Sequence, residues 1–427
     1  MSTLDPASSF RLTFRLRTLA VAALVLSGCS EPLLPGPRDE WATLDGPIEG
    51  LSPSQVATHA QGDAEFSRIF APADGLGPLF VATSCESCHV GDGKGHPLFD
   101  ITRFGRPGAG AFDPMEDQGG PQLQNRAILG YLAEQVPGGA SAVARFTAPS
   151  VTGLGLLEAV DDATILALAD PADANGDGIS GRRSLVDSTD FIADIISVSA
   201  VAGDAEQTRH VPRDGKYVGR FGKKARTINL LHQTVFAYSQ DMGITTDLVP
   251  RELFNKQVGV QAADGVADPE APGSTVDAVV FYLRTLRPPP RRGADAVRDG
   301  EQLFTEIGCA SCHTPTLRTG RSDVLQLSGV EFSPYTDMLL HDMGPELDDG
   351  YTEGDATPSE WRTAPLWGVG LAERTQGGSG HFLHDGRAKS LRGAIGFHGG
   401  EAARSRDGFD KLAPDAQERL LAYLRSL

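Results

Sequence analysis

Apolar residues recur at helical spacing at several points along the chain. Val276, Val279, Val280 and Leu283 fall at i, i+3, i+4 and i+7, and Leu420, Leu421 and Leu424 form a matching stripe near the end, so each segment reads as a helix with one buried face. The two stripes close on nearly the same sequence, Phe281-Tyr282-Leu283-Arg284-Thr285-Leu286 and Ala422-Tyr423-Leu424-Arg425-Ser426-Leu427, which marks an internal repeat. Phe66, Ile69 and Phe70 give a further helical stripe ahead of the first half, as do Val297, Leu303, Phe304 and Ile307 ahead of the second. Between the halves, Pro288-Pro289-Pro290-Arg291-Arg292-Gly293 is too stiff and helix-breaking to belong to either. The pattern predicts a mainly α protein with long loops, its halves at residues 61–287 and 294–427 and its linker at 288–293. Fifty glycines and 28 prolines among 427 residues support the long loops.

The first 28 residues read differently. Arg11, Arg15 and Arg17 precede an apolar run from Leu19 to Leu26, too short to span a bilayer but shaped like the core of a secretory signal peptide. The run ends Leu26-Ser27-Gly28-Cys29, which resembles the bacterial lipoprotein cleavage box and makes Cys29 the expected lipidated first residue. Ser30 is the kind of residue that, in such lipoproteins, permits transfer to an outer membrane. Residues 29–60, opening with the proline-rich Glu31 to Pro37, read as a tether. The expected location is therefore the periplasm, with membrane contact through the lipid alone.

The other four cysteines occur as Cys85-Glu86-Ser87-Cys88-His89 and Cys309-Ala310-Ser311-Cys312-His313. Two thiols one turn apart can form thioethers to haem vinyl groups, and the imidazole that follows reaches the iron. A thioredoxin-like pair would follow a strand, whereas these follow helical stripes. A zinc ribbon would hold its pairs ~15–20 residues apart, far closer than Cys85 and Cys309. Two covalent c-type haems account for every remaining thiol.

The net charge of −18, from 56 acidic and 38 basic side chains, would repel nucleic acid. One acidic run, Asp173-Ala174-Asn175-Gly176-Asp177-Gly178, has the oxygen spacing of a calcium loop, with Asp173, Asn175 and Asp177 as ligands. The position of an EF-hand's closing glutamate is Ser184, so it is either a different calcium-stabilised loop or a plain Asx turn.

From about residue 60 onward the chain resembles the di-haem oxidoreductases, relatives of bacterial di-haem cytochrome c peroxidase and of the di-haem enzyme that matures methylamine dehydrogenase. The segments that carry the resemblance include Gly155 to Val160, Gly219-Arg220-Phe221-Gly222, Asp241-Met242-Gly243, Tyr335 to Gly344, Glu360 to Gly368 and Leu383 to Ala388. It implies two cytochrome c-like haem domains, the first with a large insertion, and reduction of hydrogen peroxide or a similar small oxidant with electrons from a periplasmic donor. Lys223 departs from the pattern, which has tryptophan there, and this removes an electron-relay residue.

The resemblance also assigns ligands. His89 and His313 are the proximal ligands, and counting seven from Leu391 places a distal ligand of the second iron at His398; Met343 competes for that role. The same count in the first half reaches Val235 or Ala237, neither of which binds iron, so the first haem has an open face. Gln233 and Asp241 are the implied catalytic pair on that face, with Asp241 moving a proton during O–O cleavage. His59, His96 and His210 stand as reversible ligands of the first iron, His341 and His384 as hydrogen-bonding residues, and Trp361 or Trp367 as bridges between the haems. The alternatives are a di-haem electron-transfer cytochrome without catalysis, and an enzyme that oxidises a partner protein.

Overall fold

Six helices frame the site: α1 (Pro53–Phe66), α2 (Leu230–Ala237), α3 (Gly273–Thr285), α4 (Arg298–Glu306), α5 (Leu391–Gly396) and α6 (Pro414–Ser426). The computed structural model describes residues 44–201, 209–253, 257, 264–291, 293 and 297–427. The expected signal peptide and Cys29 lie outside them. Helix α1 begins within the span read as a tether, because Ser52 and Gln55 cap it reciprocally and Pro53 takes the first helical position.

The repeat in sequence is a repeat in packing. Helix α1 crosses α3 at Gly62, where a Cβ would lie 2.1 Å from Ala278 O and 2.6 Å from Tyr282 Cβ. Helix α4 crosses α6 at Gly300, where a Cβ would lie 2.3 Å from Arg419 O and 2.6 Å from Tyr423 Cβ. Only glycine permits backbones this close. Phe66 then packs on Tyr282 and Phe304 on Tyr423, each pair with ring centroids 5.5 Å apart. After each repeated helix the chain is tied back in the same way, Gly153 N to Leu286 O (3.1 Å) and Gly368 N to Leu427 O (2.7 Å).

The architecture is mixed rather than mainly α: helix accounts for 36% and strand for 14%. Five small antiparallel sheets supply the strand among the described residues. The largest joins β1 (Ile101–Pro107), β2 (Phe112–Asp113) and β3 (Ala142–Phe146) in the order β2-β1-β3, with Ile101 opposite Phe146 and Gly105 opposite Ala142. Strands β4 (Ser184–Asp187) and β5 (Lys216–Gly219) form a ribbon, as do β6 (Leu340–Asp342) and β7 (Glu360–Arg362). Strands of two to seven residues leave almost no periodic trace in a sequence, so the Gly/Pro-rich stretches read as loops while folding as ribbons. Only β3 shows clear alternation, burying Ala142, Ala144 and Phe146 against Leu347, Tyr351 and Trp361 of the second half.

The halves share one main core. Val160, Tyr282 and Leu286 from the first pack with Met338, Leu339 and Trp367 from the second. Ionic ties reinforce this: Arg182 pairs with Asp355 and Glu360, and Lys224 Nζ donates to the carbonyls of Thr357, Pro358 and Glu360. Among the described residues no helix is long and apolar enough to cross a membrane.

Candidate functional site: two cysteine-histidine centres on one cavity

Each pentad folds as a single turn. His89 N donates to Cys85 O at 3.0 Å and His313 N to Cys309 O at 3.0 Å, which puts both thiols and the imidazole of each motif on one side of the turn. All four thiols are free of disulfides. Burial pushes Cys85, Cys88 and Cys309 up to about 12, the reverse of what a redox dithiol needs.

The two imidazoles are oriented alike. His89 Nδ1 lies 2.8 Å from Pro149 O and His313 Nδ1 lies 3.0 Å from Tyr335 O. A carbonyl can only accept, so Nδ1 carries the proton and the Nε2 lone pair is left for a metal. Burial lowers both to about 4, which keeps them neutral. Phe66 and Phe304 stand beside them, with centroids 6.0 and 6.4 Å away.

Both motifs open on one continuous cavity of about 500 Å³. On the Cys309 side His398 also lines it, with its Nδ1 2.7 Å from Ala394 O at the end of α5 and its ring centroid 6.4 Å from that of His313. Two imidazoles sharing one metal through bonds of about 2.0 Å, with about 1.2 Å from ring nitrogen to centroid, would sit ~6.4 Å apart. Met343 also reaches the cavity, but no ring or hydrogen bond aims it at His313.

On the Cys85 side the cavity wall is α2, whose Leu230, Gln233, Thr234 and Ala237 face it at i, i+3, i+4 and i+7. Ala237 occupies the count at which the second half carries His398. Gln233 Oε1 accepts from Thr227 Oγ1 at 3.0 Å. Asp241 follows in a wide turn, Tyr238–Met242, that ends at Gly243. Its backbone carbonyl accepts from Val81 and Ala82 N, tying the turn to the segment that leads into Cys85. Burial raises the Asp241 carboxyl, although Gln122 Nε2 donates to its Oδ1 at 2.6 Å, so the acid is held where it can carry a proton.

Sequence reasoning missed several residues here. Gln122 also donates to Gln240 O, Arg103 Nη1 donates to Gln240 Oε1 at 2.9 Å, and Glu353 lies 3.9 Å from Arg103 and 3.8 Å from Arg226. Glu353 comes from the second half. No local motif links these positions; only the β1 sheet and the shared core bring them together.

The chain matches a known family. Residues 35–102 and 138–427 match the family described as "Di-haem oxidoreductase, putative peroxidase". The chain belongs to this family. No curated protein matches it. Among solved structures, Kuenenia stuttgartiensis hydrazine synthase pressurised with xenon covers 93% of this chain and 100% of its own, at 14% identity and a TM-score of 0.32.

For a di-haem oxidoreductase the residues present fit the group the family name requires. Each half presents two thiols and a neutral imidazole with a free Nε2 to an apolar cavity. The remaining sequence candidates divide. His59 spends its nitrogens on Thr285 Oγ1 and Asp45 O, His96 Nδ1 accepts from Leu98 N, and neither they nor His210 lines the cavity. His341 is clamped between Asp337 and Glu401, each at 2.8 Å; burial opposes its charge, but the hydrogen bonds it donates to Asp337 and Glu401, with that to Cys312, raise it to about 12. His384 stacks on Trp361 with centroids 3.7 Å apart and is lowered to about 3 by burial. Trp361 and Trp367 both line the cavity.

The acidic loop stands apart. Asp173 oxygens accept from Gly178 N at 3.2 Å, Asn175 Oδ1 from Asp177 N, and Asp177 Oδ1 from Ile179 N. Among the described residues Asp173 and Asp177 join no group of three or more His, Cys, Asp or Glu ligand atoms within 4.8 Å of one another.

Proposed function

We propose that this di-haem oxidoreductase reduces hydrogen peroxide or a similar small oxidant at the Cys85–His89 centre, with electrons supplied through the Cys309–His313 centre. The observation that carries the reading is an asymmetry. His313 faces a second imidazole, His398, at 6.4 Å, whereas α2 lines the cavity with Leu230, Gln233, Thr234, Phe236 and Ala237, none of which carries an imidazole or a thioether. A six-coordinate iron suits electron transfer, and an open iron face suits a small ligand.

When bound, haem supplies the redox chemistry; the chain's own residues set where it happens. Cys85 and Cys88 would hold one group by thioethers and Cys309 and Cys312 the other, with His89 and His313 as proximal ligands and His398 as the distal ligand of the second. Asp241, raised by burial and oriented by Gln122, holds a proton beside the first centre and can deliver it to a departing oxygen. Gln233 and Gln240 offer amide groups that orient a small polar ligand there. Trp361 and Trp367 place aromatic rings along the wall between the motifs. The signal-like N-terminus and Cys29 support export and lipid anchoring, most simply to the outer membrane, facing a periplasmic electron donor.

The half-reduced protein tests the reading. A high-spin ferric signal that changes on adding peroxide is expected, and a spectrum that is low-spin throughout and indifferent to peroxide would sink it in favour of an electron-transfer cytochrome. A haemochrome assay should give two haems per chain, and Cys85→Ala should leave one. His398→Ala should abolish the low-spin signal that Met343→Ala leaves in place.

A further inference from the structure

Lys223 sits where the family pattern has tryptophan, and the structure shows what surrounds it. It lines the cavity immediately after Gly222. Arg362, from β7, lines it too: Arg362 N donates to Lys223 O at 3.0 Å and Arg362 Nε donates to Gly222 O at 3.0 Å. Arg362 is thus tied to the Gly222-Lys223 backbone, within electrostatic reach of the Lys223 amine. Lys223 lies within electrostatic reach of His89, and Arg362 within reach of Asp337, which in turn neighbours His313. The pair stands on the wall between the two centres.

Neither cation has an anionic partner. Among the described residues no carboxylate comes within ion-pair distance of Lys223 Nζ or of the Arg362 guanidinium; of the acids within electrostatic reach, Asp385 pairs with Arg387 and Asp100 lies 3.7 Å from Arg145 beside Lys223, and Asp337 pairs with His341 beside Arg362. Burial lowers both, Lys223 to about 8 with repulsion from Arg362 adding to it, and Arg362 to about 10 against the pull of Asp337. Lys94, a third cation nearby, spends its amine on Leu383 O. Adjacent like charges in an apolar cavity persist only if an anion completes the site.

We propose that Lys223, together with Arg362, binds haem propionate carboxylates at the wall between the two centres, and that the Lys223 charge holds the haem potentials up. The inference rests on the family's two haems occupying the two pentads. Propionates are the anions that a haem on either pentad brings into this cavity, and Lys223 Nζ and the Arg362 guanidinium supply ammonium and forked donors to match them. A cation beside a haem favours the reduced form, because reduction adds negative charge. Where tryptophan would give this wall a π-system, lysine gives it a charge. Lys223 is therefore a positioning residue that acts through the haems.

Optical redox titration tests this. Haem content is measured first: fewer than two haems per wild-type chain would overturn the occupancy reading rather than this one. With two haems present, Lys223→Gln and Lys223→Met should shift at least one midpoint potential to a more negative value, and Lys223→Arg should restore it. Midpoints that coincide in all four proteins at unchanged haem content would overturn the proposal. Should the neutral variants fail to load haem, resonance Raman of the wild type decides it: propionate bending modes at the hydrogen-bonded position support the proposal, and modes at the free position overturn it.

Discussion

Replacing Gly62 with alanine would put a methyl group 2.1 Å from Ala278 O and 2.6 Å from Tyr282 Cβ. A backbone carbonyl in a helix cannot rotate away, so α1 and α3 must separate by about 1 Å to restore contact distance. Overpacking of this kind costs ~1–3 kcal/mol, and alanine's helix propensity offsets up to ~1 kcal/mol, leaving a net loss of about 2 kcal/mol. With an m value of ~4 kcal/mol/M in guanidinium chloride, the unfolding midpoint should fall by ~0.5 M. The loss should be local as well. Helix α1 ends in Phe66, whose ring lies 6.0 Å from His89, so Gly62→Ala should lower haem retention at the first centre and spare the second. Gly300→Ala, where the clash is 2.3 Å with Arg419 O, should do the reverse through Phe304 and His313. Gly396→Ala is the control, because a Cβ there meets nothing within 4 Å. If Gly62→Ala unfolds at the same midpoint as Gly396→Ala, the close crossing of α1 and α3 is wrong, and with it the packing repeat.

Arg220, fully buried, donates to Glu158 O, Val160 O and Asp162; Arg220→Leu should lower stability by ~3–5 kcal/mol in a denaturant melt by leaving Asp162 unpaired, and a loss under 1 kcal/mol would contradict this. Burial pushes Glu134 up to about 7 against the pull of the Gln124 amide. Its unfolded-state pKa is near 4.3, so as pH rises from 5 to 8 the unfolded chain is already ionised while the folded carboxyl must give up its proton, costing the wild type up to ~2–3 kcal/mol. Glu134→Gln should lose that much less over the same range, and parallel pH profiles would refute it. Adding calcium should leave the melting temperature unchanged, because the Asp170, Asp173 and Asp177 oxygens already accept loop amides and, among the described residues, these acids form no cluster of three ligand atoms within 4.8 Å; a saturable rise would show a bound ion.

The chemistry of this protein is written locally. Each Cys-x-x-Cys-His motif needs only one turn of backbone to align its thiols and imidazole, so five residues suffice to mark a candidate centre. The repeated ends at Leu286 and Leu427 were legible because a helix stripe leaves a periodic signature. The strands were not legible, since ribbons as short as Phe112–Asp113 or Glu360–Arg362 carry no period to read. Everything that depends on the halves meeting was likewise decided by the tertiary structure: Gln122 on Asp241, Glu353 between two arginines, Arg362 beside Lys223. Those contacts join residues over a hundred positions apart, and in a single sequence the burial and charge that make them matter have no local trace. Lys223 shows the division most plainly, for the sequence marks it as a departure while only the shared cavity shows a cation without an anion.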